Sequence, residues 1–307
     1  MQKDKLTVIL GPTASGKTHL AVHLANDLGG EVISADSRQV YRKMDIGTGK
    51  DLNEYTLGEN NIPYHLIDIC EPGEKYLLSD FQKDFKTSYQ KILSNNHYPI
   101  LCGGTGLYIQ SILENYQYAF IPNDQSLRDS LDDLTQDQLL KQLDLLPFSK
   151  EFHDRKNRKR TIRAIEIGTF LKDNPNTDNI SKNELEAVII GIDIDRDTRR
   201  SKISNRLKER LQEGMIEEVE SLLKYIPSED LIYYGLEYKF LTEYLLGKLT
   251  YDEMYQKLES GIHQYAKRQM TWFRGMERKG YQINWLSFDI PTDEKVQICK
   301  ELILKKV

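Results

Sequence analysis

Four short apolar runs occupy the first third of the chain, at 6–10, 31–35, 65–69 and 99–102, and each is closed by a turn or loop signal. Consecutive apolar positions suit strands buried on both faces of a parallel sheet. Helical periodicity fills the gaps. Leu20, Ala21, Leu24, Ala25 and Leu28 recur at helical spacing and stop at Gly29-Gly30, and Phe81, Phe85, Tyr89 and Leu93 form a second stripe between Asp80 and Asn95. Strands alternating with helices predict an α/β core with a parallel sheet, whose functional loops lie at the carboxyl ends of the strands.

The pattern changes near residue 114. Polar helical stretches and turn clusters replace the alternation, and Asn174-Pro175-Asn176-Thr177-Asp178-Asn179 is a loop by composition. An apolar run at 187–193 reads as another core strand, followed by helix to about residue 276, a short strand at 282–287 and a terminal helix at 292–305. The chain therefore divides into a first part of the α/β core at 1–114, a mostly helical insertion domain at 115–185, and a return to the core with a helical C-terminal part at 186–307. The sequence carries no internal repeat.

Composition adds limits rather than a function. The 307 residues are 39% hydrophobic and 29% charged with a formal net charge of −5, ordinary for a soluble globular protein and without a global basic signature. Nucleic-acid binding would have to come from local patches. Cys70, Cys102 and Cys299 show no metal or redox spacing and read as reduced, structural thiols. The opening residues lead straight into a strand, and no apolar run approaches membrane-spanning length. A cytoplasmic monomer without membrane association is the expectation.

The first strand and first helix are joined by Gly11-Pro12-Thr13-Ala14-Ser15-Gly16-Lys17-Thr18, the pattern G-x-x-x-x-G-K-[ST] in the strand–loop–helix context that gives it meaning. Gly11 and Gly16 permit backbone angles that turn successive N–H groups toward an anion, and the helix adds its positive end. Lys17 supplies a mobile charge for phosphate oxygens, and the Thr18 hydroxyl can hold Mg²⁺. Gly11, Thr13, Ala14, Ser15, Gly16, Lys17 and Thr18 form the candidate cradle for a di- or triphosphate, and the core is of the P-loop NTPase-like kind.

Other segments carry chemistry less specifically. Asp36 follows the second strand, on the same sheet edge as the cradle, where a carboxylate can hold Mg²⁺, take a proton, or simply cap a helix. Met44-Asp45-Ile46-Gly47-Thr48-Gly49-Lys50 is either a turn or a loop that closes over a ligand. Gly103-Gly104-Thr105-Gly106 allows close backbone approach after the fourth strand and exposes the Thr105 hydroxyl. Six cations in the nine residues from Arg155 to Arg163 favour a phosphate-binding patch over a merely solvated face. Arg199, Lys202, Arg206 and Arg210 share one helical face, which is either solvent-facing or sends one or two arginines to the phosphate site. Gln264 to Arg274 interleaves cations with aromatics, as nucleic-acid contacts do, and equally fits a helix with Met270 and Phe273 packed inside.

Together these motifs resemble the tRNA dimethylallyltransferases, also called tRNA isopentenyltransferases. The resemblance rests on GPTASGKT (11–18), SADSRQVYRKMDIGTGK (34–50), HLIDICEP (65–72), PILCGGTGLY (99–108), RxxRAIEI (160–167) and AKRQMTWFR (266–274), in the family's order and over nearly the whole chain. It implies transfer of a dimethylallyl group from dimethylallyl diphosphate to N6 of adenosine 37 beside the tRNA anticodon, with release of diphosphate. Asp36 falls where the family has its general base, Arg206 matches an arginine assigned to the diphosphate, and Thr18 would carry Mg²⁺. Asp36, Ser37, Arg38 and Gln39 lie where the family meets the target nucleotide. Thr105, Arg128, Lys159, Arg160, Arg163, Lys267, Arg268, Gln269, Trp272 and Arg274 match tRNA-contact positions. A base acted on inside an anticodon loop has to leave its stack, so base flipping is expected.

Two departures stand out. Arg38 occupies a position that is smaller or apolar in some members, and Tyr234-Gly235-Leu236-Glu237-Tyr238 replaces a stretch that more often reads G-Y-[KR]. The insertion is also short, and nothing matches the zinc finger of eukaryotic members, which points to a bacterial-type enzyme. An adenylate isopentenyltransferase would share the loop and the aspartate but has no need of the insertion and both distal basic stretches. A small-molecule kinase would give no role to AKRQMTWFR. A tRNA-binding module without catalysis would not require Lys17, Thr18 and Asp36 together.

Overall fold

The computed structural model describes residues 5–116, 118–146, 149, 152, 155–175 and 185–305. They form two compact units, Met1–Glu114 with Leu185–Val307, and Asn115–Glu184. The larger unit is built on a six-stranded sheet in the order β5-β2-β6-β1-β7-β8, from strands β1 (Lys5–Leu10), β2 (Gly30–Ser34), β5 (Tyr64–His65), β6 (Tyr98–Gly103), β7 (Glu186–Asp193) and β8 (Ile283–Ser287). Every pairing within it is parallel.

The apolar runs form these strands because both faces are covered. On one face Leu6, Val8, Leu101 and Ile189 pack with Phe81 and Phe85 of α2 (Leu78–Ser94), Ile109 of α3 (Gly106–Leu113) and Phe273 of α11 (Tyr251–Arg278). On the other, Ile9, Val32, Ile100 and Ile190 pack with Leu20 and Leu24 of α1 (Lys17–Leu28) and Val296 and Cys299 of α12 (Thr292–Lys305). Alternate residues of one run thus serve opposite layers. All three cysteines are free and buried.

A third apolar cluster joins the loop after β2 to the helices that follow β7. Val40, Tyr41 and Met44 pack with Leu207 of α7 (Arg196–Gln212), Met215 and Val219 of α8 (Met215–Leu222), Leu231 of α9 (Ser228–Tyr233) and Leu241 of α10 (Leu236–Leu245). A 3₁₀ turn (Leu52–Tyr55) and a short hairpin, β3 (Thr56–Leu57) with β4 (Asn60–Asn61), lead to β5. Helix α11 is 28 residues long and opens with a capping box, Thr250 N–H donating to Glu253 Oε2 at 2.9 Å. Its length carries it from this cluster to the sheet.

The strand expected at 65–69 is the exception. Only Tyr64–His65 pairs with β2, through Val32 and Ile33. Leu66 and Asp68 then take left-handed angles, φ 62° and 56°, which a strand cannot hold. The amides of Ile69 and Cys70 donate to the Val40 carbonyl at 2.9 and 3.0 Å instead. Leu66 packs into the core layer of α2 and α3 and Ile67 into that of α1, while Ile69 stays exposed, so the run serves both layers without extending the sheet.

The smaller unit is helical: α4 (Gln125–Leu131), α5 (Gln136–Asp144) and α6 (Arg158–Asp173) pack around Leu131, Leu139, Leu143, Ala164 and Ile165. The loop read at 174–179 lies outside the described residues from 176 onward. No described helix is long and apolar enough to cross a membrane.

Candidate active site

Sheet register gathers the functional loops. Leu10 of β1 is level with Gly103 of β6, and Ser34 of β2 with Cys102 of β6, so the chain leaves all three strands at one edge. The backbone ties the exits together: Ala35 N–H donates to the Cys102 carbonyl at 2.7 Å, and Thr105 N–H to the Ala35 carbonyl at 3.2 Å. Glycine is required at 103 because a Cβ there would collide with the Ala35 carbonyl.

The loop after β1 turns through left-handed angles at Ala14, φ 61°, and Gly16, φ 77°, the latter capping α1. The angle expected of Gly11 falls on Ala14. Gly11 is needed for space, since a Cβ would sit 2.7 Å from Ser15 Oγ. That Ser15 hydroxyl is buried without a hydrogen-bond partner. An unpaired polar atom in such a turn is unfavourable unless something polar is to be bound there. Burial lowers the pKa of the Lys17 ammonium, against a smaller opposing pull from Asp36.

A cavity of about 490 Å³ opens over these loops. Thr13, Lys17, Thr18, Asp36, Ser37, Arg38, Gln39, Arg206, Arg268 and Gln269 of the predicted residues line it. Arg38 N–H donates to Asp36 Oδ1 at 2.9 Å, fixing the carboxylate in an Asx turn. The Thr105 hydroxyl accepts from Ser37 N–H at 3.2 Å. Gln39 accepts from the Ser34 hydroxyl and donates to the Gly49 carbonyl, each at 3.0 Å, so it braces the end of β2 against the 44–50 stretch of the loop that follows. Gln269 reaches across from α11, accepting from Thr13 N–H and donating to the Gly104 carbonyl, each at 2.9 Å.

The glycine-interrupted loop 44–50 is held on both sides. Lys50, buried, donates to Asp68 Oδ1 at 2.5 Å and to Asp45 Oδ1 and the Tyr41 carbonyl at 2.6 Å. Glu218 of α8 accepts from the amides of Asp45, Ile46 and Gly47 at 2.8, 2.7 and 3.0 Å and from the Tyr238 hydroxyl at 2.8 Å. Gly49, φ 67°, lies under the Arg210 guanidinium, where a Cβ would clash.

Several lining residues were not singled out in the sequence. Glu237 and Tyr265 face the cavity, and burial raises the pKa of both side chains. Tyr265 was legible only as one aromatic of a mixed helix. Glu237 lies in the unusual 234–238 stretch, which the structure accounts for. Gly235, φ 140°, ψ −173°, takes a glycine-only conformation. Tyr234 packs edge-on against Tyr41 at 4.7 Å and its hydroxyl accepts from Gly73 N–H at 2.6 Å. Arg38 donates to the Tyr233 carbonyl at 3.2 Å, so both departures meet at one wall.

The remaining predicted residues fall elsewhere. Lys267 and Arg274 are exposed on α11, and the Trp272 ring covers Gly106. In the helical unit Lys159 and Arg160 are exposed on α6. Arg128 and Arg163 are engaged internally: Arg128 donates to the buried Glu166 at 2.7 and 2.9 Å, and Arg163 to Glu166 Oε2 at 3.2 Å and to the carbonyls of Ile121 and Pro122 at 2.5 and 3.2 Å. Arg158 likewise donates to the Leu131 carbonyl at 3.0 Å. The basic run is thus partly a set of braces for its own unit.

A parallel sheet whose first strand feeds a left-handed turn at a helix N-terminus, with a carboxylate and arginines lining the same cavity, is the frame of an α/β enzyme. Residues 39–276 match the IPP transferase family model, and 4–64 that of isopentenyl transferase. The chain is 52% identical to tRNA dimethylallyltransferase 2 of Phocaeicola vulgatus, over 97% of each chain. It is 54% identical to tRNA dimethylallyltransferase 1 of Azobacteroides pseudotrichonymphae, over 93% of this chain and 94% of that one. The crystal structure of the tRNA isopentenylpyrophosphate transferase of Bacillus halodurans superposes with a TM-score of 0.72 at 32% identity, over 99% and 97% of the two chains. That of a eukaryotic dimethylallyltransferase acting on tRNA has the same fold, with a TM-score of 0.76 at 22% identity, over 99% of this chain and 80% of that one. The chain belongs to the IPP transferase family, as its motifs imply.

Proposed function

We propose that the protein transfers a dimethylallyl group from dimethylallyl diphosphate to N6 of adenosine 37 in tRNA, releasing diphosphate. The observation that carries this reading is the shared cavity: Asp36 lines it together with Lys17, Thr18 and Arg206. A proton acceptor and an anion cradle on one cavity are what a displacement at an allylic carbon requires.

The exocyclic amine of adenine is a poor nucleophile because its lone pair is delocalised into the ring. Attack forms the bond from N6 to C1 of the allyl group as the bond from C1 to the diphosphate oxygen breaks. The electron pair leaves with the diphosphate, and the N6 proton passes to an Asp36 carboxylate oxygen. Negative charge grows on the leaving group, and donors placed around it lower the barrier: the loop amides from Ala14 to Thr18, the Lys17 ammonium and the Arg206 guanidinium. Thr18 offers one hard oxygen at the cavity wall. That oxygen would hold a magnesium ion. When bound, magnesium neutralises charge on the departing diphosphate.

For the tRNA, the exposed Lys159, Arg160, Lys267, Arg268 and Arg274 supply phosphate contacts, and Trp272 and Tyr265 supply aromatic surface near the cavity. Ser37, Arg38 and Gln39 meet the flipped nucleotide. Arg128 and Arg163 shape α6 for this purpose rather than touching phosphate themselves. The similarity over nearly the whole chain to relatives named tRNA dimethylallyltransferase supports tRNA over a free nucleotide as acceptor.

The test is to incubate the protein with labelled dimethylallyl diphosphate, Mg²⁺ and unmodified tRNA bearing adenosine at position 37. Label on that adenosine is the expected result. Label on AMP but not on tRNA would establish the adenylate reading, and phosphate transfer from ATP to a metabolite would establish a kinase.

A further inference from the structure

Arg206, the cation assigned above to the diphosphate, already has a partner. Its Nη2 donates to Asp51 Oδ2, and Arg210 Nη2 lies 3.5 Å from both Asp51 oxygens. Asp51 stands at the start of the 3₁₀ turn in a left-handed conformation, φ 34°, without capping the turn through its side chain. A non-glycine residue pays for that conformation, and here it puts a carboxylate between two arginines beside the phosphate loop. Both arginines line the main cavity, and both also line a second one of about 430 Å³ with Asp51, Lys17 and Thr18.

A carboxylate and a phosphate oxygen compete for the same guanidinium geometry, since both accept the paired N–H bonds of the fork. Arg210 has no room to retreat, because its guanidinium covers Gly49 and only 13% of its side chain is exposed. Arg206 sits at the boundary of the two cavities with 30% of its side chain exposed. It is the member of the pair free to exchange one anion for another.

We infer that Asp51 is a positioning residue that acts as an internal competitor for Arg206: its carboxylate holds the guanidinium before the donor arrives and reclaims it as diphosphate departs. The inference rests on the proposed function in taking diphosphate as the leaving group. It predicts a cost and a gain. Donor binding is weakened by the exchange, and the tightly held product is released.

The test is calorimetric titration of the full chain with inorganic diphosphate in the presence of Mg²⁺. Asp51→Asn is expected to bind diphosphate about tenfold more tightly than wild type, the scale of an ordinary coupling between two ligands of one group. Asp51→Glu should stay near wild type because it keeps the competing charge. Damage to the loop would weaken binding, so a tighter variant is not a sign of misfolding. Glu54→Gln, which removes another carboxylate of the second cavity, measures the general field effect. If Asp51→Asn binds diphosphate with unchanged or lower affinity, or gains no more than Glu54→Gln, the competitor role is wrong and Asp51 is a brace that presents Arg206. If wild type and Asp51→Asn alike fail to bind diphosphate, it is the proposed function that fails.

Discussion

Gln269, near the middle of α11, clamps the phosphate loop by accepting from the Thr13 amide at 2.9 Å while its own amide donates to the Gly104 carbonyl at the same distance. One side chain therefore sets the spacing between the loops after β1 and β6, on which the cavity depends. Gln269→Leu leaves both backbone groups without partners, at about 1–3 kcal/mol for each buried group. The expected outcome is a lower urea midpoint and weaker diphosphate binding. Gln269→Glu keeps the acceptor for Thr13 and loses the donor for Gly104, so it should fall between. Full diphosphate affinity in Gln269→Leu would show that the clamp does not shape the cradle.

Glu31 makes acid stability predictable. Its buried carboxylate faces His97 Nδ1 and His65 Nε2, each at 2.5 Å. Burial pushes its pKa up, but the hydrogen bonds from His97 and His65 outweigh that, leaving it below its ordinary value of 4.5. A carboxyl whose folded pKa is depressed contributes stability that is complete above the unfolded value and is lost as pH falls through the folded one. Chemical denaturation should thus show stability declining below about pH 4.5. Glu31→Gln should flatten that decline while lowering stability at neutral pH. A variant as pH-sensitive as wild type would place the acid response elsewhere.

The basic helix of the smaller unit separates into two kinds of cation. Lys159 is exposed on α6, whereas Arg163 holds backbone carbonyls and Glu166. Lys159→Ala should weaken tRNA binding and reduce the salt slope by about 1, leaving thermal stability unchanged. Arg163→Ala should lower the melting temperature, because the buried Glu166 loses a partner. Filter binding across a salt series, with a thermal melt of each variant, distinguishes them. A reduced salt slope in Arg163→Ala without a stability change would reverse the assignment.

Much of the frame was legible in the sequence because it follows from local rules. The apolar runs at 6–10, 31–35, 99–102 and 187–193 became core strands because nothing in them resists burial on two faces, and Gly29-Gly30 ended α1 as a left-handed cap, φ 59° at Gly29. The run at 65–69 failed as a strand because left-handed angles at Leu66 and Asp68 turn it, and the amides of Ile69 and Cys70 bond to the Val40 carbonyl, a contact that periodicity cannot register. Lys50 illustrates the same limit. Its motif drew attention to a loop, but its meaning as a buried cation shared by Asp45, Asp68 and the Tyr41 carbonyl depends on partners up to 18 residues away. Glu218, Glu237 and Asp51 carry no sequence signature, since a lone acid on a helix or turn looks like any solvated residue until the fold supplies its neighbours.

The central claim is that Asp36 accepts the N6 proton across a cavity from the phosphate cradle. The most direct measurement is single-turnover transfer of the dimethylallyl group to tRNA by Asp36→Asn, paired with its tRNA dissociation constant. The expected result is tRNA binding within a few-fold of wild type and a transfer rate reduced by about 10²–10⁴, the usual range for a general base. Transfer at the wild-type rate would contradict the claim and require another proton acceptor in the cavity.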